Sequence, residues 1–111
     1  MTSFGRLIAI ADRLGEVPAG SLLADLAIRD ALGLIGVVMP YTRNETAARS
    51  LLRPGFEWMP PTYSSGTVYA ACRRNGMDGE WRHPHHGQWG ATLPLAMCGA
   101  VMRAWAGLAK G

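Results

Sequence analysis

The segment TLPLAMCGAVMRAWAGLAK, residues 92–110, restricts the possible folds more than any other part of the chain. Thr92 is placed to cap a helix, and Pro94 falls in the first turn, where its missing N–H costs nothing. Leu95, Cys98, Val101, Met102 and Trp105 recur along one face and are expected to be buried. Arg103 is the single charge before Lys110, so the helix is apolar over more than one face and has to be covered on several sides. Ala96, Gly99, Ala100 and Ala104 would let a second surface approach closely. In so short a chain, part of that cover is expected from another subunit, giving a homodimer or higher oligomer.

Before this helix the hydrophobic period alternates. FEWMP (56–60) sets Phe56, Trp58 and Pro60 on one face, and TVYAACRR (67–74) is rich in β-branched and aromatic residues. NGMDG (75–79) is a strong turn signal, and EWRH with GQWGA supplies a third strand interrupted at Pro84.

The first forty residues follow a helical period instead. SFGRLIAIADRLG places Leu7, Ile8, Ala11 and Leu14 on one face behind a Ser3 cap. SLLADLAIRDALGL predicts Leu22, Leu23, Leu26, Ala27 and Ile28 inward, Asp25, Arg29 and Asp30 in water, and Gly33 as terminator. IGVVMP reads as a buried connection. Thr42 to Glu45 (TRNE) has capping-box spacing and opens a short helix carrying Ala47, Ala48, Leu51 and Leu52. The expected fold is therefore one α+β domain, residues 1–111: a helical hairpin and connection (1–39), then a short helix, a β-meander and the closing helix (40–111). A small antiparallel sheet of three or four strands packs against helices in an α-β-α sandwich-like arrangement.

Composition sets limits on function. The longest nearly uncharged apolar run, Leu93 to Met102, is about half of the ~20 residues a membrane span needs, and residues 1–11 lack the pattern of a signal peptide. A cytoplasmic location is expected, with no membrane partner. Cys72 and Cys98 have no C-x-x-C partner and read as small buried hydrophobes. The net charge of +3 is uneven. Three Arg meet four acids in residues 1–40, whereas seven Arg and one Lys meet four acids in residues 41–111. Arginine grips phosphate bidentately, which lysine does not.

All three histidines fall in EWRHPHHGQW (80–89). His83 and His85 point the same way in an extended segment and could give two ligands to zinc, but there is no second ligand pair at diagnostic spacing. Pro84 and Gly87 make the stretch read as a hairpin rim, solvent-facing or in contact with a ligand, and no metal or cofactor is expected. Catalysis has little to build on. Ser64, Ser65 and Cys72 lie in no nucleophile elbow, Asp78 and Glu80 flank a turn glycine, and GMDG lacks the spacing of a phosphate loop. Anion binding is better supported. Arg73 and Arg74 end one strand, Arg82, His83 and His85 lie across the turn, and Tyr69, Trp81 or Trp89 could stack on a base. Thr92 opens a helix whose first N–H groups favour an anion. Duplex DNA is not expected as a partner, because the sequence has no helix-turn-helix and no extended basic stripe.

Pro40-Tyr41-Thr42, the helix with AARSLL, Trp58, and above all WGATLPLAMCGAVMRA (89–104) resemble small phage and prophage proteins with the phage α-β-α (ABA) sandwich domain. In that family a Thr-Pro-Ala-Leu-Ala-Leu-Cys-like sequence opens the last helix; here proline stands one place later, at Pro94. The resemblance implies a phage accessory protein of α-β-α fold, and it brings no catalytic residues. Together these features lead to a non-enzymatic binder that sequesters a small phosphorylated or nucleotide-like host signalling molecule. The alternative is a protein- or nucleic-acid-binding factor that blocks a host macromolecule, and a nucleotide-processing enzyme comes third.

Overall fold

The computed structural model describes residues 4–75 and 86–110. It is an α+β fold in which a four-stranded antiparallel sheet carries the C-terminal helix on one face. Strands β1 (Phe56–Trp58) and β2 (Thr62–Ser64) lie in line along one edge of β3 (Thr67–Arg74), and β4 (His86–Gly90) pairs with its other edge. Helices α1 (Phe4–Glu16), α2 (Leu22–Leu32) and α3 (Glu45–Arg49) precede the sheet, and α4 (Leu93–Lys110) closes the chain.

Helix α4 forms as its sequence predicts. Thr92 accepts from the Leu95 and Ala96 N–H groups through its hydroxyl and carbonyl, at 3.4 and 3.0 Å. Leu95, Cys98, Val101 and Met102 are buried. Trp105 is half-buried and donates its indole N–H to the Leu51 carbonyl. The small residues expected to face a second subunit, Ala96, Gly99, Ala100 and Ala104, are instead buried within the chain. α1, β3, β4 and α3 all pack on α4, so this helix gives no ground for self-association. The Gln88 side chain explains the glycine at 99. It enters from β4, lies against Gly99 and Gly15, donates to the Ala11 carbonyl, and accepts from Arg103 Nε at 2.8 Å. Arg103 in turn reaches Asp12 on α1 at 2.6 Å. Helix α1 is thereby tied to β4 and α4 through polar groups that satisfy one another.

Helix α2 begins at a Ser21 cap, whose hydroxyl accepts from the Ala24 N–H, and ends at Gly33, in the left-handed region at φ 67°. Its inward face corrects the sequence reading. Leu22 and Leu23 are exposed, whereas Asp25 is fully buried beside Ile28 and Ala31. The cause is a set of partners seventeen residues on. Asp25 Oδ1 accepts from the Thr42 N–H (2.7 Å) and hydroxyl (2.6 Å), and Oδ2 accepts from Arg43 Nε (3.0 Å) and a terminal guanidinium nitrogen (2.8 Å). Thr42 is thus committed to Asp25 and does not cap α3; Asn44 does, accepting from the Ala47 N–H. The IGVVMP connection also differs from its reading. Ile35 is 99 % and Val37 85 % exposed, and the segment arches outward between Gly33 and the Asp25 anchor.

Strand β2 was not foreseen. Ser65 and Gly66 both adopt positive φ (47° and 81°), which makes a two-residue hairpin of the primed class that joins β2 to β3 with the right twist. Between β1 and β2, three residues (59–61) stand opposite two of β3 (70 and 71). That is a bulge, placed on an edge strand where Pro60 and Pro61 have no ladder bond to lose.

The Asp25 network makes a stability prediction. Asp25→Ala leaves the buried Thr42 N–H without an acceptor and Arg43 without its carboxylate, while the Thr42 hydroxyl can turn to the Ser21 carbonyl at 3.2 Å. With about 1–3 kcal/mol for a buried unsatisfied donor and more for a charged bond, a loss of about 2–4 kcal/mol is expected, read as a lower urea midpoint at unchanged slope. A loss below about 1 kcal/mol would show that water replaces the carboxylate.

Candidate functional site

Strand β3 places the expected anion-binding residues, and its alternation separates them. Tyr69 and Arg73 project from the face opposite α4, because Cys72, one position away, bonds toward the Ala100 carbonyl of α4. Arg74 follows Cys72's face. Thr92 lies beyond Gly90, which pairs with Val68 at the far end of β3 from Arg74, and serves there as the α4 cap. Trp81, Arg82, His83 and His85 lie outside the described residues, as do Asp78, Glu80 and the turn beyond Asn75.

On the face away from α4, Tyr69 and Trp89 are cross-strand partners with ring centroids 5.2 Å apart and planes inclined at 53°. Trp89 is 48 % exposed, so it is not the core residue that its type would suggest. The phenol end of Tyr69 occupies the space a Cβ at Gly87 would fill, so any larger residue there would have to displace that ring. Arg73, on the same face, is neutralised by Glu57 at 3.0 Å.

The Arg74 end of the other face is different. Phe56 stands directly opposite Arg74 across the β1–β3 ladder, a spacing that brings Cβ atoms to about 5 Å. The Arg53 guanidinium lies 4.6 Å from the centroid of Phe56 and 5.4 Å from that of Trp105, and it donates to the Ala104 carbonyl at 3.1 Å. His86 completes the group, its ring centroid 6.1 Å from that of Phe56. The turn that delivers Arg53 is closed by Phe56 N–H to Arg53 C=O at 3.1 Å, and Asn75 N–H to Gly55 C=O holds the end of β3 to it. Arg43, Arg49, Arg73 and Arg103 each have a carboxylate partner. Among the described residues Arg53 and Arg74 have none. Both border Phe56: Arg53 lies over its ring, and Arg74 stands opposite it across the ladder. The sequence does not mark Arg53 and Phe56 as site residues, although the Arg-Pro-Gly-Phe turn brings Arg53 back upon Phe56, whereas His86 belongs to the histidine stretch read there as a rim.

A separate cleft of about 250 Å³ opens beside β1 and is lined by Trp58, Met59, Pro60, Pro61, Met97 and Arg49, among others. It is apolar, and its only cation, Arg49, is paired with Glu45 at 2.6 Å. Both cysteines are free and buried. Burial pushes the Cys72 thiol up to about 12, against a smaller opposing pull from Arg53. Burial and the Asp25 charge push Cys98 up as well. Neither presents a thiolate near neutral pH. Among the described residues no group of three His, Cys, Asp or Glu side chains is placed to hold a metal ion. No helix there is long and apolar enough to cross a membrane.

No protein-family model, curated protein or solved structure matches the chain. Nothing in these comparisons identifies the phage ABA sandwich family.

The thiols yield a prediction with a definite sign. A thiol with a folded pKa above its unfolded value keeps its proton in the native state after the unfolded chain has lost it. Stability is therefore undiminished below about pH 8.5 and falls as pH rises from there toward 12. Folded protein at pH 8 should resist a thiol-specific reagent, with both cysteines reacting only after denaturation. Stoichiometric labelling of the native state within minutes would contradict this.

Proposed function

We propose that the chain is a non-enzymatic binder of a small phosphorylated, nucleotide-like anion, which it holds at the Arg53–Phe56–Arg74 end of the sheet. The observation that carries this reading is two arginines that have no carboxylate partner among the described residues and border the same ring: Arg53 lies over Phe56, and Arg74 stands opposite it across the ladder. Such a pair can take a phosphate by charge-assisted hydrogen bonds, each contributing about 1.5–3 kcal/mol. His86 adds a polar group at the rim. In the cell the role is that of a phage accessory protein which sequesters a host immune signal, and that part rests on the resemblance in the closing helix. The buried, protonated thiols supply no nucleophile and favour sequestration over turnover.

One observation favours a second reading. The Tyr69–Trp89 pair is an outward aromatic platform of the kind on which bases of a single strand stack. Arg73 beside it is already paired with Glu57, so that face has less charge to offer a phosphate backbone. It ranks below the first for that reason.

Purified protein should deplete one or more members of a nucleotide-signal panel and release them intact on heating. Arg74→Ala should weaken that binding at least tenfold by calorimetry, while Tyr69→Ala and Trp89→Ala leave it within about twofold. A chemically altered product would indicate an enzyme. Loss of binding in the aromatic variants alone, or no depletion at all, would move the assignment to the outer face or to a macromolecular target.

A further inference from the structure

Helix α2 presents its leucines to solvent, and the structure shows what accompanies them. Leu23 is 80 % exposed and Leu22 about half, while Ile35, Val37 and Met39 stand out from the arch that follows the helix. The arch is held in shape. Gly33 and Leu34 N–H groups bond back to the last turn of α2, Arg29 donates to the Gly36 carbonyl at 3.0 Å, and Tyr41 N–H bonds the Met39 carbonyl. At the opposite end of α2 lies a groove of about 310 Å³, lined by Leu14, Val17, Ala19, Leu23, Ala24 and Arg13, together with Ser21. An apolar projection and an apolar recess therefore occupy the two ends of one eleven-residue helix, separated by about 16 Å at 1.5 Å per residue.

We infer that this face binds a second copy of the chain, through antiparallel packing of α2 against α2 across a two-fold axis. That axis, crossing the middle of α2, sets the Ile35–Val37 arch of each copy against the groove of the other. The contact closes on itself and leaves neither element unfilled. Charge agrees with the arrangement. Asp30 is exposed at the arch end of α2 and Arg13 is exposed at the groove, and neither has an ion-pair partner among the described residues. The same axis brings Asp30 of one copy toward Arg13 of the other. A stable pair takes about 800 Å² from each partner, which is the scale of five largely exposed aliphatic side chains with the helix face between them. An anionic bilayer is a poorer occupant, because residues 1–40 carry a net charge of −1.

Sedimentation velocity over a micromolar concentration series tests the pairing. The wild-type chain should sediment at twice its monomer mass, and Ile35→Asp, at a fully exposed position that leaves the fold intact by circular dichroism, should weaken the dimer at least tenfold. Asp30→Arg should weaken it too, and the double variant Asp30→Arg with Arg13→Asp should restore it. A wild-type monomer throughout the series overturns the inference. So does a dimer indifferent to Ile35→Asp, a charge exchange that fails to restore, or a monomer captured by vesicles of neutral lipid.

Discussion

One carboxylate organises the N-terminal half of the molecule. Asp25 has no access to water, yet each of its oxygens accepts two hydrogen bonds, from Thr42 on one side and Arg43 on the other. A buried charge without such partners would be prohibitively costly, and a fully satisfied one fixes geometry. The arrangement draws the Pro40–Arg43 loop against α2. Gly20 is required where the loop passes, since a Cβ there would run into the Thr42 carbonyl. Tyr41 is then positioned to offer its carbonyl to the Cys98 thiol of α4 at 3.1 Å. A single ionic group thus decides which way α2 is rotated, where the following loop lies, and how both meet the central helix.

Those dependencies explain which parts of the fold could be read in advance. Helices α1 and α4 are legible because their apolar residues repeat at the helical period, and α4 also because its Thr92 cap is local; the Ser3 cap expected for α1 lies outside the described residues. Gly33 was legible as a stop for the same reason. The rotation of α2 was not, because nothing near Asp25 in sequence distinguishes it from an ordinary surface acid; its partners lie seventeen and eighteen positions away. The leucine spacing therefore points Leu22 and Leu23 inward, whereas the structure buries Asp25 beside Ile28, the one residue of that face it leaves fully inside. Strand β2 escaped notice because a Ser65–Gly66 turn lacks the Asn or Asp that marks most two-residue hairpins.

The candidate site was legible only in part. Arg73 and Arg74 were correctly placed at the end of a strand, but consecutive strand residues point to opposite faces, so they cannot share one ligand surface. That separation follows from period-two geometry alone. What sequence could not supply was compensation: Glu57 neutralises Arg73 because β1 lies in register with β3, and Phe56 meets Arg74 for the same reason. The distinction between a spent and an available arginine is a property of strand register, which residue types do not encode.

The bulge at residues 59–61 has a consequence for how the gene can vary. Because side chains alternate, the extra residue sets the faces on either side of it out of phase: Trp58 shares the face of Cys72, whereas Thr62 shares that of Tyr69. Removing or adding one codon there would invert every residue of β2 and break its match with the hairpin that follows. The segment works as a spacer of fixed length. Surface connections ordinarily absorb length changes freely; in this chain the short Met59–Pro61 link is instead a place where insertions and deletions should be purged, while single substitutions that keep the count are tolerated.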